Sequence, residues 1–479
     1  MTNFEVIIGI ENHIELKTKT KMFAPAPVSF GSEPNTEISS VDLGYPGALP
    51  TVNKEGVRLA LLACNALNMN IDPLLRFDRK NYFYPDLAKG FQITQQFHPI
   101  GSNGKLEAIM PDGSKKTFEI ERLHIEEDTA KQNHIDDTTY IDYNRSGIGL
   151  IEVVSRPVMR SADDAVAYVD KLREVVLFLG VSDAKMNEGS LRCDVNISLR
   201  PYGAPKFGNK VEIKNLNSLN NVKKSIEFEI KRQTELLLAG KTVDQETRRF
   251  DESIQETVLM RKKSNAVDYK YFRDPNIFPI KLDDAWVQDV ISHSPELAEQ
   301  KRDKYVNKYS LDLKETNYIL SDLELTKFFE ETLAYSSDAK KIANLLISDV
   351  QSLINSENIA LSQSKLTPEK LGTVIKKLEE GIISSKHVKT ILPIIFKEND
   401  SVEKVIEDNN LKLISNPDEI RSLLEPIIQQ NISLIQEQYD QRPERVEKQI
   451  MGQLMKATGG NVNPEVGMSI AIEEIKKKK

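Results

Sequence analysis

Carboxylates and imidazoles recur at two-residue spacing in three short segments of this 479-residue chain. The first runs from Ile8 to Leu16. In an extended conformation Glu11, His13 and Glu15 share one face, and Ile8, Ile10, Ile14 and Leu16 share the other. The second, Arg122 to Asp128, sets Arg122, His124 and Glu126 opposite Leu123 and Ile125. The third, Arg192 to Leu199, carries Asp194, Asn196 and Ser198 on its polar side. Acids gathered on one sheet face repel one another unless a cation or a proton offsets the charge. A divalent-metal site is the sharpest chemistry this pattern allows. Alternation also turns polar residues toward water, so any one of these strands taken singly reads more readily as a solvated face.

The elements that must position these residues can be read from caps, turns and periodicity. Up to about residue 290 the chain is rich in Gly, Pro, aromatic and β-branched residues, with turn clusters at Pro34-Asn35, Asn103-Gly104 and Pro111-Asp112-Gly113. This predicts a sheet-dominated domain with inserted helices. Ser161 is a helix N-cap with Asp163 and Asp164 in the first turn. Val166, Val169, Leu172, Val176 and Leu179 follow at helical spacing, and Gly180 is the stop. Asp194–Leu199 and Val211–Lys214 read as strands paired across the Pro201-Tyr202-Gly203 turn, which brings Glu212 onto the polar face. A basic helix is expected from Asn221 to Ala239, ending at Gly240. Ser294-Pro295 predicts an N-cap and first-turn proline, and helical periodicity dominates beyond it. Thr367-Pro368 repeats the signal, and Asn399-Asp400 and Asn416-Pro417 read as joints. The expected class is α+β: a sheet-rich domain over 1–293, then two all-α domains over 294–405 and 406–479.

Composition narrows the function. A net charge of −8 gives the whole chain no general attraction to nucleic acid, which argues against a DNA-binding protein. A local stripe of Lys206, Lys210, Lys214, Lys223, Lys224, Lys231 and Arg232 could meet phosphates, although it also reads as a solvated helix face. Cys64 and Cys193 form no metal or redox spacing, and a reducing cytoplasm is the natural compartment. The start of the chain reads as a strand rather than a signal peptide, and no apolar run approaches the ~18 residues of a membrane span. There is no GxxxxGK[ST], GxGxxG or HExxH pattern and no flanking signature of a Ser or Cys nucleophile.

Ordered blocks along almost the whole chain carry a family resemblance. They are Gly9-Ile-Glu-Asn-His-Ile-Glu-Leu16, Asp42-Leu-Gly-Tyr-Pro-Gly-Ala-Leu-Pro50 and Phe77-Asp-Arg-Lys-Asn-Tyr-Phe-Tyr-Pro-Asp86. Arg122-Leu-His-Ile-Glu-Glu-Asp128, Gly189-Ser-Leu-Arg-Cys-Asp-Val-Asn-Ile-Ser-Leu-Arg200, Lys214-Asn-Leu-Asn-Ser218 and Gln245-Glu-Thr-Arg-Arg-Phe250 follow in order. The chain resembles the B subunit of the aspartyl/glutamyl-tRNA amidotransferases. That resemblance implies an N-terminal cradle domain that activates the side-chain carboxylate of a mischarged aminoacyl-tRNA with ATP and Mg2+. It also implies an amidase A subunit that supplies ammonia from glutamine, a small C subunit, and helical and tail domains that approach the tRNA body.

In that light the expected metal set is Glu11, His13, Glu126 and Glu212, with Glu188 and Asp194 as further members. Hard oxygen ligands suit Mg2+, with Mn2+ able to substitute at a histidine. Zinc held by His13, His124 and Glu126 is the alternative. Glu11, His13 and Glu126 are also the expected catalytic residues, together with Lys80 and Lys89, which are candidates for phosphate or channel contacts. Tyr82 is a candidate for the ammonia route, core packing being the other reading. Departures from the family pattern stand at Asn12, at Arg156 and Val158, at Asn187, at Ala88 and Gly90, and at Arg273 and Asp274. They raise the alternative of a non-catalytic, tRNA-binding scaffold protein.

Overall fold

The fold comes from a computed structural model that describes residues 4–262 and 268–479. The chain divides into two compact units, 1–298 and 299–479.

The first unit is built on a nine-stranded sheet. Its strands are β1 (Phe4–Glu15), β2 (Asn70–Ile71), β3 (Gly101–Ile109), β4 (Lys115–Glu127), β5 (Gly149–Ser155), β6 (Leu191–Pro201), β7 (Val211–Leu216), β8 (Glu246–Asp251) and β9 (Glu256–Lys262). The spatial order is β9-β8-β7-β6-β1-β5-β4-β3-β2, and every pairing is antiparallel except β7 with β8. The first strand is therefore central, and its neighbours come from segments far along the chain. Ile8, Ile10 and Ile14 are fully buried on one face, as alternation requires.

Three helices cover that apolar face: α1 (Lys54–Ala66), α2 (Ala162–Phe178) and α3 (Leu219–Leu238). The hydroxyl of Ser161 accepts from Asp164 N at 3.1 Å and starts α2 where the sequence signal lies. Gly180 beyond its end adopts φ 68°, a left-handed conformation that costs glycine little. The third helix starts two residues before the expected Asn221, because Ser218 is the capping residue. The opposite, polar face of the sheet meets a small sheet of Asp78–Asn81, Phe91–Thr94 and Phe272–Arg273. Thr94, Ile93 and Gln95 of that layer hydrogen-bond to Glu126, Glu127 and the Ile125 amide, which docks it over the end of β4.

The helix expected from Ser294-Pro295 begins instead at Ala298. Ser294 N donates to Ile291 O at 3.1 Å, so this residue closes the preceding helix rather than opening the next. The second unit is helical throughout the elements described; Thr367 caps a helix where expected, and Asn416, read from the sequence as a joint, caps another. Residues from Ile420 to Ile475 form an apolar core of their own. No helix among the described residues is long and apolar enough to cross a membrane.

Candidate active site

Strand register, rather than proximity in sequence, assembles the site. On β1, β5 and β4, His13 pairs with Glu152 and Glu152 pairs with His124. Glu126, two residues along β4, joins the same face. His13 Nε2 lies 3.6 Å from Glu126 Oε1 and 3.5 Å from Glu152 Oε2. Ligand atoms of His13, Glu126 and Glu152 all fall within 4.8 Å of one another. Metal–oxygen distances of about 2.1 Å place adjacent octahedral ligands roughly 3 Å apart, so a small contraction would close this trio on a divalent ion.

Glu152 is the member of this candidate trio that the sequence pattern did not single out. It sits in Gly149–Ser155, an apolar run that shows no alternation of its own. A single carboxylate flanked by the fully buried Ile151 and Val153 was the available signal.

His124 is buried beside the trio, with Nε2 2.9 Å from Glu152 Oε2 and 3.5 Å from Glu126 Oε2. Burial opposes its charge, but Glu152 and Glu126 outweigh burial and raise it to about 9. Burial likewise opposes ionisation of Glu152, yet His124 and His13 hold its carboxyl far below the usual range. The zinc set of His13, His124 and Glu126 is not the one brought together here: His124 Nε2 is engaged by both carboxylates, and the ligand atoms that converge are those of His13, Glu126 and Glu152. Two carboxylates and one imidazole with room for water suit Mg2+ or Mn2+.

The remaining expected residues separate into distinct surroundings. Lys80 faces the trio. Its ammonium lies 4.9 Å from the Tyr269 ring centroid and 5.7 Å from that of Tyr82. Burial disfavours its charge, but Glu126 and Glu152 more than compensate and keep it protonated. Tyr82 lines the same cleft, its hydroxyl pushed well above the ordinary tyrosine range by burial and then by Glu126. Lys89, by contrast, is ion-paired to the buried Glu127. Glu127 also accepts from Ile93 N at 2.9 Å, so this lysine is committed inside the structure.

Glu11 lies one alternation from His13, accepts from Asn196 Nδ2 at 2.9 Å and pairs in register with Asp194. Burial, then Glu152 and Asp194, raise its carboxyl above the usual range. Lys214 bridges Asp194 at 2.7 Å and Glu212 at 3.2 Å, and Glu212 also accepts from the Thr247 hydroxyl at 2.9 Å. Glu188 is on an exposed turn, paired with Lys185 at 3.0 Å, and is not brought to the trio.

The basic stripe of 205–232 is not a continuous cationic face either. Lys214 serves two acids, Lys223 pairs with Asp163 at 2.8 Å, and Arg232 binds the buried Glu229 at 2.9 Å.

Two clefts open along the polar face. One of about 340 Å³ is lined by His13, Lys80, Tyr82, Glu126, Arg192 and Asp194 among others. The other, of about 510 Å³, runs beside Glu11, Arg122, Asn196, Ser198, Asn209 and Lys210. His13 and Glu126 of the trio line the first of these, and Glu11, one alternation from His13, lines the second. This is the layout expected of a reaction that brings a phosphoryl donor to an acceptor.

Residues 6–288 match the family described as GatB/GatE catalytic domain, and residues 327–475 match the GatB domain. The B subunit of the aspartyl/glutamyl-tRNA(Asn/Gln) amidotransferase from Mycoplasma mycoides is 61% identical over 478 residues, covering 100% of both chains. The protein of the same name from Mesoplasma florum is 60% identical over 100% of both chains. That of Staphylococcus aureus is 44% identical over 99% of this chain and 100% of its own. The chain belongs to the family of aspartyl/glutamyl-tRNA amidotransferase B subunits.

Proposed function

We propose that this chain activates the side-chain carboxylate of Glu-tRNA(Gln), Asp-tRNA(Asn) or both with ATP and Mg2+, and converts it to the amide. Ammonia comes from an amidase A subunit, and a small C subunit completes the assembly. The cytoplasm, where mischarged tRNA is made, is its place of action. The observation that carries this reading is the His13–Glu126–Glu152 trio beneath Lys80.

A carboxylate is a poor electrophile. Attack of its oxygen on the γ-phosphorus of ATP releases ADP and leaves an acyl phosphate. Attack of ammonia on the acyl carbon then expels phosphate and a proton and forms the amide. Bound Mg2+ would neutralise phosphoryl charge in the first step. His13, Glu126 and Glu152 would hold the ion, and His124 would fix the direction of Glu152. Lys80 would meet phosphoryl oxygens from the other side. Glu11 and Asp194 would hydrogen-bond waters around the ion. We leave Lys89, Glu212 and Glu188 out of the catalytic set, because each is engaged by a partner and none lines the cleft of the trio, whereas Asp194 does.

The scaffold alternative draws on Asn12, Arg156, Asn187 and Arg273. None of the four lines the cleft of the trio. Asn12 points to the apolar face, and Arg156 donates to Asn103 Oδ1 at 2.9 Å. These departures therefore leave the reactive groups in place.

The test is reconstitution with the A and C subunits, mischarged tRNA, glutamine, ATP and Mg2+. Amidated tRNA should form, and Glu126→Gln should abolish it while tRNA binding persists. Full turnover in that variant would remove Glu126 from the site. No amide with the unmodified chain would overturn the reading.

A further inference from the structure

Of the three cationic side chains that line the cleft of the trio, Lys80, Arg192 and Lys214, the chemistry above leaves the guanidinium unused. Arg192 on β6 pairs in register with His13 and lines the cleft. Its guanidinium makes one side-chain hydrogen bond, from Nη2 to Asp128 Oδ2 at 2.8 Å. Its Nε is buried without a partner among the described residues, and its side chain remains 35% exposed. Asp128 is meanwhile well supplied: Arg145 Nε stands 3.5 Å from it and the Thr129 amide donates to it at 2.8 Å. Neutralising Asp128 does not exhaust Arg192.

The other cations of the cleft have their tasks. Lys214 serves Asp194 and Glu212, and Lys80 faces Glu126 and Glu152. Among the described residues lining this cleft, Arg192 is the guanidinium with donors to spare. A planar fork matches a carboxylate better than a point charge does. Cross-strand neighbours on one face stand about 5 Å apart, so the fork lies beside the metal position and not on it.

We infer that Arg192 receives the side-chain carboxylate of the aminoacyl ester before phosphorylation and sets it beside the phosphoryl donor. The assignment rests on the proposed function. It also accounts for product release, since the neutral amide loses the charge-assisted contact that held the acid.

The experiment uses the complex with its partner subunits and compares binding of Glu-tRNA(Gln) with Gln-tRNA(Gln), with the Asp/Asn pair in parallel. Unmodified complex should prefer the acidic aminoacyl group, roughly tenfold or more for a charge-assisted contact. Arg192→Gln should erase that preference and raise KM for the mischarged tRNA, with KM for ATP unaltered. Arg192→Lys keeps the charge beside Asp128 and guards against a folding defect; its preference should fall severalfold. A preference undiminished in either variant, or absent from the unmodified complex, overturns the assignment. Failure of the unmodified complex to amidate at all would instead count against the proposed function.

Discussion

Replacing Glu152 by Gln tests the buried His124–Glu152 contact and the trio together. His124 is held at about 9 in the folded protein, against an ordinary value of 6.5. A cation raised in this way stabilises the fold fully below pH 6.5, and that contribution is lost as pH climbs through 9. At 1.36 kcal/mol per tenfold, the rise is worth about 3 kcal/mol. Glu152 supplies the larger part of it through charge and a 2.9 Å contact, while Glu126 stands farther off at 3.5 Å.

Glu152→Gln should therefore lose about 2–3 kcal/mol at pH 6, with most of the deficit gone by pH 9.5. The chain has one tryptophan, Trp286, and it belongs to the first unit. Urea unfolding followed by its fluorescence at the two pH values reads the difference directly. Equal deficits at both values would refute the assigned charge state of His124. Mg2+-dependent amidation should vanish in the same variant.

Two further outcomes follow from other parts of the molecule. Asn12 is fully buried, with its Oδ1 unpartnered and its Nδ2 reaching Arg192 O only at 3.5 Å; Asn12→Val should raise stability by about 1–2 kcal/mol in the same unfolding assay. Residues 406–479 carry Arg442, Arg445, Lys448 and Lys456 around their own apolar core. Removing them should weaken tRNA binding by the complex, measured by filter retention, and leave glutamine hydrolysis intact.

Much of this protein was legible in one dimension. Period-two alternation assigned Glu11 and His13 to one face of the first strand and Ile8, Ile10 and Ile14 to the other, because successive side chains of any extended segment point to opposite sides. Ser161 and Thr367 marked helix starts because a cap is a contact between residues three apart. The ordered blocks identified the family. Strand order lay beyond such reasoning. That β5 sits between β1 and β4, and so puts Glu152 between His13 and His124, depends on pairings between segments more than a hundred residues apart or joined through a hairpin whose register local periodicity does not set.

Charge partners were equally hidden. Lys89 and Lys80 are alike as sequence, yet one is closed onto Glu127 and the other is aimed at the trio. The same holds for Glu188 and Glu126, one paired on an exposed turn and one buried in the cleft. The sequence alone decided which residue types each face presents. The tertiary structure decided which of them meet, because the energy of a buried charge is set by neighbours that the packing of distant segments brings to it.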